Sequence, residues 1–159
     1  MRSNLMIGRR ALLTALMASP IAVRAAWADP LPGIIVTKDP DCGCCGAWVE
    51  HVRSAGFHVE VIESPELNRV KARLGVPQIL ASCHTAEVGG YVIEGHVPAD
   101  SVKRLLAEKP DARGLAVPGM PTGSPGMEVE GVEPEIFDVV LFGPSGQRTF
   151  ARYKDNKPV

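Results

Sequence analysis

The chain has 159 residues, with 17 basic and 18 acidic side chains and a formal net charge of −1. This length fits one globular domain, and no basic patch or alternation of aromatic and basic residues points to nucleic acid as a partner. Beyond the N-terminal region, the sequence has no apolar segment long enough to span a membrane.

The first 28 residues predict an export signal, which would not be part of the fold. Arg9-Arg10 precede an apolar stretch from Ala11 to Val23, and Ala26-Trp27-Ala28 matches the small-x-small cleavage pattern. The paired arginines indicate a twin-arginine signal, and an ordinary secretory signal is the alternative. We therefore expect a periplasmic domain over residues 29–159, without a membrane anchor after cleavage and with a net charge of −5 from 13 basic and 18 acidic residues.

The first predicted strand and helix enclose a group of cysteines. Ile34–Thr37 is a short β-branched run typical of a buried strand, and Asp39-Pro40-Asp41 predicts a turn after it. Apolar residues recur at helical spacing from Gly43 to Ala55. Cysteines at the start of this helix face free N–H groups and the positive end of the helix dipole, which stabilise a thiolate.

The elements that follow predict an α/β fold. Their patterns indicate, in order, a strand, a helix, a two-stranded hairpin, a helix, a Gly/Pro/Met-rich loop and a C-terminal hairpin. The respective segments are Phe57–Ile62, a helix that Ser64-Pro65-Glu66 opens and Gly75 ends, Thr85–Val88 with Tyr91–Glu94, Pro98–Glu108, Gly114–Gly131, and Phe137–Phe142 with Arg148–Ala151.

This order predicts a mixed sheet flanked by helices and resembles the thioredoxin fold. In that fold a Cys-x-x-Cys motif lies between the first strand and the first helix. The loop entering the third strand packs against the motif. Here that loop carries Cys83 and His84, so the resemblance implies that Cys83 meets the cysteines of residues 42–45.

The four cysteines are Cys42, Cys44, Cys45 and Cys83. The Cys-x-x-Cys spacing is that of a dithiol redox pair or half of a soft-metal site, and the additional Cys44 favours a metal. Two structural disulfides are an alternative, with a strained Cys44–Cys45 bridge the least favoured pairing. Zinc fits poorly, because a four-cysteine zinc site usually has two separated Cys-x-x-Cys pairs. Copper(I) suits thiolate ligands, and adjacent thiolates can bridge more than one ion.

Three further side chains are candidate ligands. Met120 and Met127 lie in the Gly/Pro-rich loop, where no core pattern requires them, and thioether sulfur suits copper(I); packing of the loop is the alternative. His84 is next to Cys83, although alternation along a strand would direct the two side chains apart. His51 could overhang the site from the first helix, whereas His58 and His96 are assigned structural roles.

Four sequence blocks resemble the CopG-type family of small exported proteins, long described only as a conserved domain. The blocks cover Lys38–Gly46, Ala81–Ala86, Tyr91–Pro98 and Gly114–Pro121, in that order along the chain. The resemblance implies a thioredoxin-like protein of metal-resistance systems, in which Cys42, Cys44, Cys45 and Cys83 hold copper.

Two functional hypotheses remain. The first is a periplasmic copper(I)-binding protein of metal resistance, with copper ions and another periplasmic copper protein or exporter as partners and with redox-linked release of the metal. The second is a thiol–disulfide oxidoreductase, in which Cys42 attacks and Cys45 resolves. The first favours a binding protein over an enzyme, and the second would make the chain a thiol oxidoreductase.

Overall fold

The structure is a computed structural model that describes residues 30–159. The predicted export signal, residues 1–28, lies outside the described residues. Within residues 30–159, no helix has both the length and the apolar character needed to cross a membrane.

The described chain forms one sheet with three α-helices. All seven elements predicted from the first strand to the third helix are present in the predicted order, with boundaries within about three residues of the predicted ones. The elements are β1 (Ile34–Lys38), α1 (Gly43–Ser54), β2 (Val59–Glu63), α2 (Leu67–Leu74), a 3-10 helix (Gln78–Leu80), β3 (His84–Val88), β4 (Tyr91–Glu94), α3 (Ala99–Glu108), β5 (Gly114–Ala116), β6 (Ile136–Gly143), β7 (Gly146–Lys154) and β8 (Lys157–Pro158).

The sheet confirms the predicted thioredoxin-like fold. Its strand order is β2-β1-β3-β4-β5-β6-β7-β8. β1 is parallel to β2 and antiparallel to β3, and β3 is antiparallel to β4. These four strands, with α1, α2 and α3 in their chain positions, have the thioredoxin topology. The predicted C-terminal hairpin, β6–β7, extends the sheet beyond it.

Alternating side chains of the central strands divide the core between the two faces of the sheet. On one face, Ile93 and Leu115 join Trp48 of α1 and Leu105 of α3. On the other face, their neighbours Val92 and Ala116 pack with residues of α2, the connection after it, the 3-10 helix and β6: Leu74, Val76, Leu80 and Phe142. The first strand is less buried than its β-branched composition predicts, because Ile34 and Val36 are buried whereas Ile35 is 41% exposed.

The predicted loop over Gly114–Gly131 is wrong in its first three residues. Gly114–Ala116 is β5, fully buried and paired on both sides, parallel to β4 and antiparallel to β6. A three-residue strand is too short to show a period of its own, and it exists because two longer strands leave a space between them. Residues 117–131 contain no helix or strand, as predicted.

Candidate metal centre

The turn between β1 and α1 places three cysteines at the start of the helix. The backbone N–H of Asp41 donates to the carboxylate of Asp39 (2.9 Å), and that of Cys42 donates to the Asp39 carbonyl (3.1 Å). Cys42 is the N-cap residue, and no side chain caps the helix. Cys44 and Cys45 therefore lie in the first helical turn, as the sequence predicts.

Cys83 lies next to the start of α1 because it immediately precedes β3, which pairs with β1. β3 pairs with β1 so that His84 lies opposite Lys38, the last residue of β1. Residue 83 therefore stands beside the turn that begins α1. The Sγ atoms of Cys83 and Cys44 are 4.0 Å apart, and Cys45 Sγ lies 3.7 Å from the carbonyl oxygen of Cys83. The predicted meeting of the two segments is present in the structure.

All four sulfur atoms lie within 4.8 Å of one another. Cys42 and Cys45 form a disulfide, while Cys44 and Cys83 are free thiols. Cys42 Sγ lies 3.6 Å from Cys44 Sγ. The structure thus has the oxidised form of the Cys-x-x-Cys pair and one disulfide, not the two of the alternative interpretation. Reduction of this one bridge would bring four thiols together in a single small volume.

His96 contacts the thiol of Cys83, although no partner for this histidine is visible in the sequence. Its Nε2 lies 3.0 Å from Cys83 Sγ, and its Nδ1 lies 2.8 Å from the carbonyl oxygen of Pro125. A carbonyl only accepts, so Nδ1 carries the hydrogen and the Nε2 lone pair faces Cys83. Burial lowers the pKa of His96 and favours this neutral form. A neutral imidazole oriented through its other nitrogen is typical of metal-ligating histidines.

Strand pairing could have identified His96. Glu94 lies opposite Thr85, and the Gly95 N–H donates to the His84 carbonyl (3.1 Å). Continuing the hairpin register by one more pair brings residue 96 beside residue 83. The tight Gly89-Gly90 turn sets this register in the sequence itself.

His84 also approaches Cys83, which corrects the argument from alternation. The His84 ring is fully buried, 4.4 Å from the Trp48 ring centroid, yet its Nδ1 lies 3.3 Å from Cys83 Sγ. Cys83 precedes the first residue of β3, so strict alternation does not apply to the pair. Burial lowers the pKa of His84 well below the ordinary value, with further lowering by His96 and Lys71. Among the described residues, His84 Nε2 has no hydrogen-bond partner.

The thiol of Cys83 is held in its protonated form. Burial raises its pKa to about 12, and the neighbouring Cys44 adds to the rise. A metal ion that binds this sulfur must therefore displace a proton.

The Gly/Pro-rich loop contacts the site through residues beside its two methionines. The Ser82 hydroxyl donates to the Gly119 carbonyl (2.5 Å), next to Met120. Gly126, next to Met127, lies so close to α1 that a Cβ there would be 2.7 Å from the backbone nitrogen of Trp48. Met120 is 52% exposed and Met127 is half-buried. The loop thus contacts the segments that carry the cysteines, and the role of the two methionines as ligands stays a prediction.

The other two histidines lie elsewhere. His51 accepts a hydrogen bond from the Ala99 N–H (3.0 Å) and so joins α1 to the start of α3. His58 is exposed at the turn before β2.

Comparisons with known proteins point to one family. A family model described as a protein of unknown function, DUF411, matches residues 80–127. Two solved structures titled copper resistance protein copG, Form 2 and Form 1, are similar with a TM-score of 0.73 each. Form 2 is 42% identical over 77% of this chain and 98% of its own, and Form 1 is 43% identical over 79% and 98%. No curated protein matches the chain.

Proposed function

The chain belongs to the CopG-type family, and on this basis we propose that it is a periplasmic copper(I)-binding protein of copper resistance. Its cargo would be held by Cys42, Cys44, Cys45 and Cys83, with His96 as a fifth ligand. The predicted signal over residues 1–28 supports the periplasmic location.

One observation carries this proposal: four sulfur atoms from two distant segments lie within 4.8 Å of one another. Such density is not needed to stabilise a domain of this size, which has an extensive apolar core. Thiolates are soft ligands that select copper(I). Cys44 and Cys45 are adjacent in the chain, and thiolates in this arrangement can bridge ions, so more than one copper ion per chain is compatible with the site.

Redox-linked release follows from the disulfide. When Cys42 and Cys45 are reduced, both offer thiolates to copper. Transfer of two electrons to the disulfide of a partner protein would form the Cys42–Cys45 bridge and leave two partner thiols. Copper would then retain only Cys44, Cys83 and the histidine, so its affinity would fall. A copper donor, acceptor or exporter outside the cytoplasm is the partner that this cycle requires.

A thiol–disulfide oxidoreductase is the second candidate, and the Cys42–Cys45 disulfide favours it. Cys42 is half-buried at the N-cap, where a thiolate is stabilised by the helix dipole. Cys44→Ser separates the two functions. Oxidoreductase activity should survive this substitution, whereas copper stoichiometry or affinity should fall.

The test is an anaerobic copper(I) titration of the reduced protein, residues 29–159, against a chelator of known affinity. We expect at least one tightly bound copper per chain, with Cys83→Ser and His96→Gln each weakening binding. His58→Gln is the matched control, because His58 is exposed and distant from the cysteines in the fold. Failure of the reduced protein to compete for copper would refute the proposal and leave the oxidoreductase.

A further inference from the structure

A buried ion pair lies directly behind the Cys83 loop. Lys71 of α2 and Glu94 of β4 are in contact, with side chains only 5% and 0% exposed. Burying two charges is costly, and replacing such a pair by apolar residues is often neutral or stabilising. Within the described residues, Glu94 Oε2 has no hydrogen-bond partner, so the pair is not fully compensated. Stabilisation of the fold alone is therefore a weak explanation for the presence of a charged pair at these two positions.

The Glu94 carboxylate holds the residue that precedes Cys83. The same oxygen that contacts Lys71, Oε1, accepts the backbone N–H of Ser82 at 2.6 Å. Ser82 also packs closely on the end of β4, because a Cβ on Gly95 would lie 2.7 Å from its Cβ. The Ser82 hydroxyl in turn holds the Gly/Pro-rich loop at Gly119. One buried oxygen thus fixes the chain on the N-terminal side of Cys83.

The segment that contains Glu94 also fixes the other side of Cys83. The Gly95 N–H donates to the His84 carbonyl (3.1 Å), and His96 places Nε2 at 3.0 Å from Cys83 Sγ. Three consecutive residues, 94–96, therefore set the backbone and the sulfur of Cys83 relative to α1. Lys71 contacts the same carboxylate oxygen from α2 and so holds the Glu94 side chain in this position.

We propose that Glu94 and Lys71 are positioning residues of the metal centre: they hold Cys83 at the distance from Cys44 at which both segments can bind the same copper. This inference rests on the proposed copper function. Residues that orient metal ligands typically change metal affinity by about 10- to 100-fold when they are removed.

Two double variants isolate the hydrogen bond to Ser82 from the ion pair. Lys71→Met with Glu94→Gln removes both charges but keeps an amide oxygen that can accept the Ser82 N–H. Lys71→Met with Glu94→Met removes the charges and the acceptor. The two proteins differ at one side chain of similar length, so a difference in copper affinity between them reports the acceptor.

Because Lys71 is absent from both variants, we expect a small loss of copper(I) affinity in the glutamine variant and a loss of about 10- to 100-fold in the methionine variant. The copper–thiolate absorption band should shift more in the methionine variant. Equal affinity in both variants would overturn the proposal. If circular dichroism shows the methionine variant unfolded, Ser82→Pro compared with Ser82→Ala removes the same N–H from the donor side.

A metal-free measurement keeps this test separate from the proposed function. With Cys42 and Cys45 replaced by serine, Cys44 and Cys83 can form a disulfide while oxidised glutathione is reduced to two glutathione thiols. The equilibrium constant measures how well the loop presents Cys83 to Cys44. It should fall at least tenfold with the methionine pair and little with the glutamine pair, whether or not the protein binds copper. Equal constants would refute the positioning role.

Discussion

Copper binding should release a proton from Cys83 over an unusually wide pH range. Burial and the neighbouring Cys44 raise the pKa of Cys83 to about 12, from an ordinary value of 9.0. Below this pKa the free protein holds a thiol, whereas the copper complex holds a thiolate. The pH is varied, and the copper(I) affinity at each pH is compared between the unchanged protein and Cys83→Ser.

The magnitude follows from counting protons. Each proton released on binding makes the affinity rise about tenfold per pH unit. Cys83 alone therefore contributes about 100-fold between pH 7 and 9. A thiol with the ordinary pKa of 9.0 stops contributing above that pH, whereas Cys83 continues towards pH 12. Reduction of Cys42 and Cys45 adds nearby thiolates, which raise the pKa of Cys83 further.

The assay is anaerobic competition for copper(I) at pH 7, 8, 9 and 10, with a chelator whose own protonation is known. The logarithm of the affinity is plotted against pH. The slope for Cys83→Ser should be lower by about one over the whole range, including the interval above pH 9. His58→Gln should keep the original slope. Parallel lines for the unchanged protein and Cys83→Ser would refute Cys83 as a ligand, and lines that become parallel only above pH 9 would refute its raised pKa.

Three further predictions follow from the site. Gly126→Ala and Gly131→Ala both introduce a side chain at positive φ (85° and 77°). Only at Gly126 would the added Cβ meet the backbone of α1. We therefore expect only Gly126→Ala to lower copper affinity as well as the melting temperature, the latter by several degrees. Because the pKa of His84 is lowered in the folded state, the free energy of unfolding should fall as the pH drops below 6.5. Urea unfolding of the metal-free protein should show a loss of about 1.4 kcal/mol per pH unit from this histidine. The His84→Leu variant should lack this contribution. Met120→Leu with Met127→Leu should weaken copper(I) binding less than Cys83→Ser in the same titration, because a thioether is neutral; unchanged affinity would remove the methionines from the ligand set.

The local patterns of the sequence were sufficient for most of the fold. Ile34–Thr37 is a β-branched run with Pro40 shortly after it, and the second helix ends at Gly75, which has φ of 74°, so turn chemistry agrees with the observed ends of both elements. The start of this helix was less visible, because it begins at Leu67 and not at the predicted Ser64-Pro65. Gly114–Ala116 shows where this reasoning stops. Its strand conformation is imposed by β4 and β6 on either side, and three residues carry no period that could reveal it.

The candidate site was predictable where it depends on spacing along the chain and not where it depends on pairing across it. Cys42, Cys44 and Cys45 are adjacent in sequence, and Cys83 follows from the fold. His96 has no neighbour in sequence that suggests a ligand, and its contact with Cys83 exists only because β3 and β4 pair in one register. Glu94 is still less visible, since it acts through a backbone N–H that any residue at position 82 except proline would supply.

The two segments of the cluster differ in how firmly they are held, and this difference bears on metal release. Cys83 lies between a backbone fixed by Glu94 and a sulfur in contact with His96. Cys42, by contrast, is an N-cap residue without a side-chain cap, and it is one partner in the disulfide. A change of oxidation state at Cys42 and Cys45 can therefore occur while Cys44, Cys83 and His96 keep their places. Such an arrangement would let copper leave in steps. The sulfurs of Cys42 and Cys45 would be withdrawn first, and the ligands around Cys83 would release the ion last.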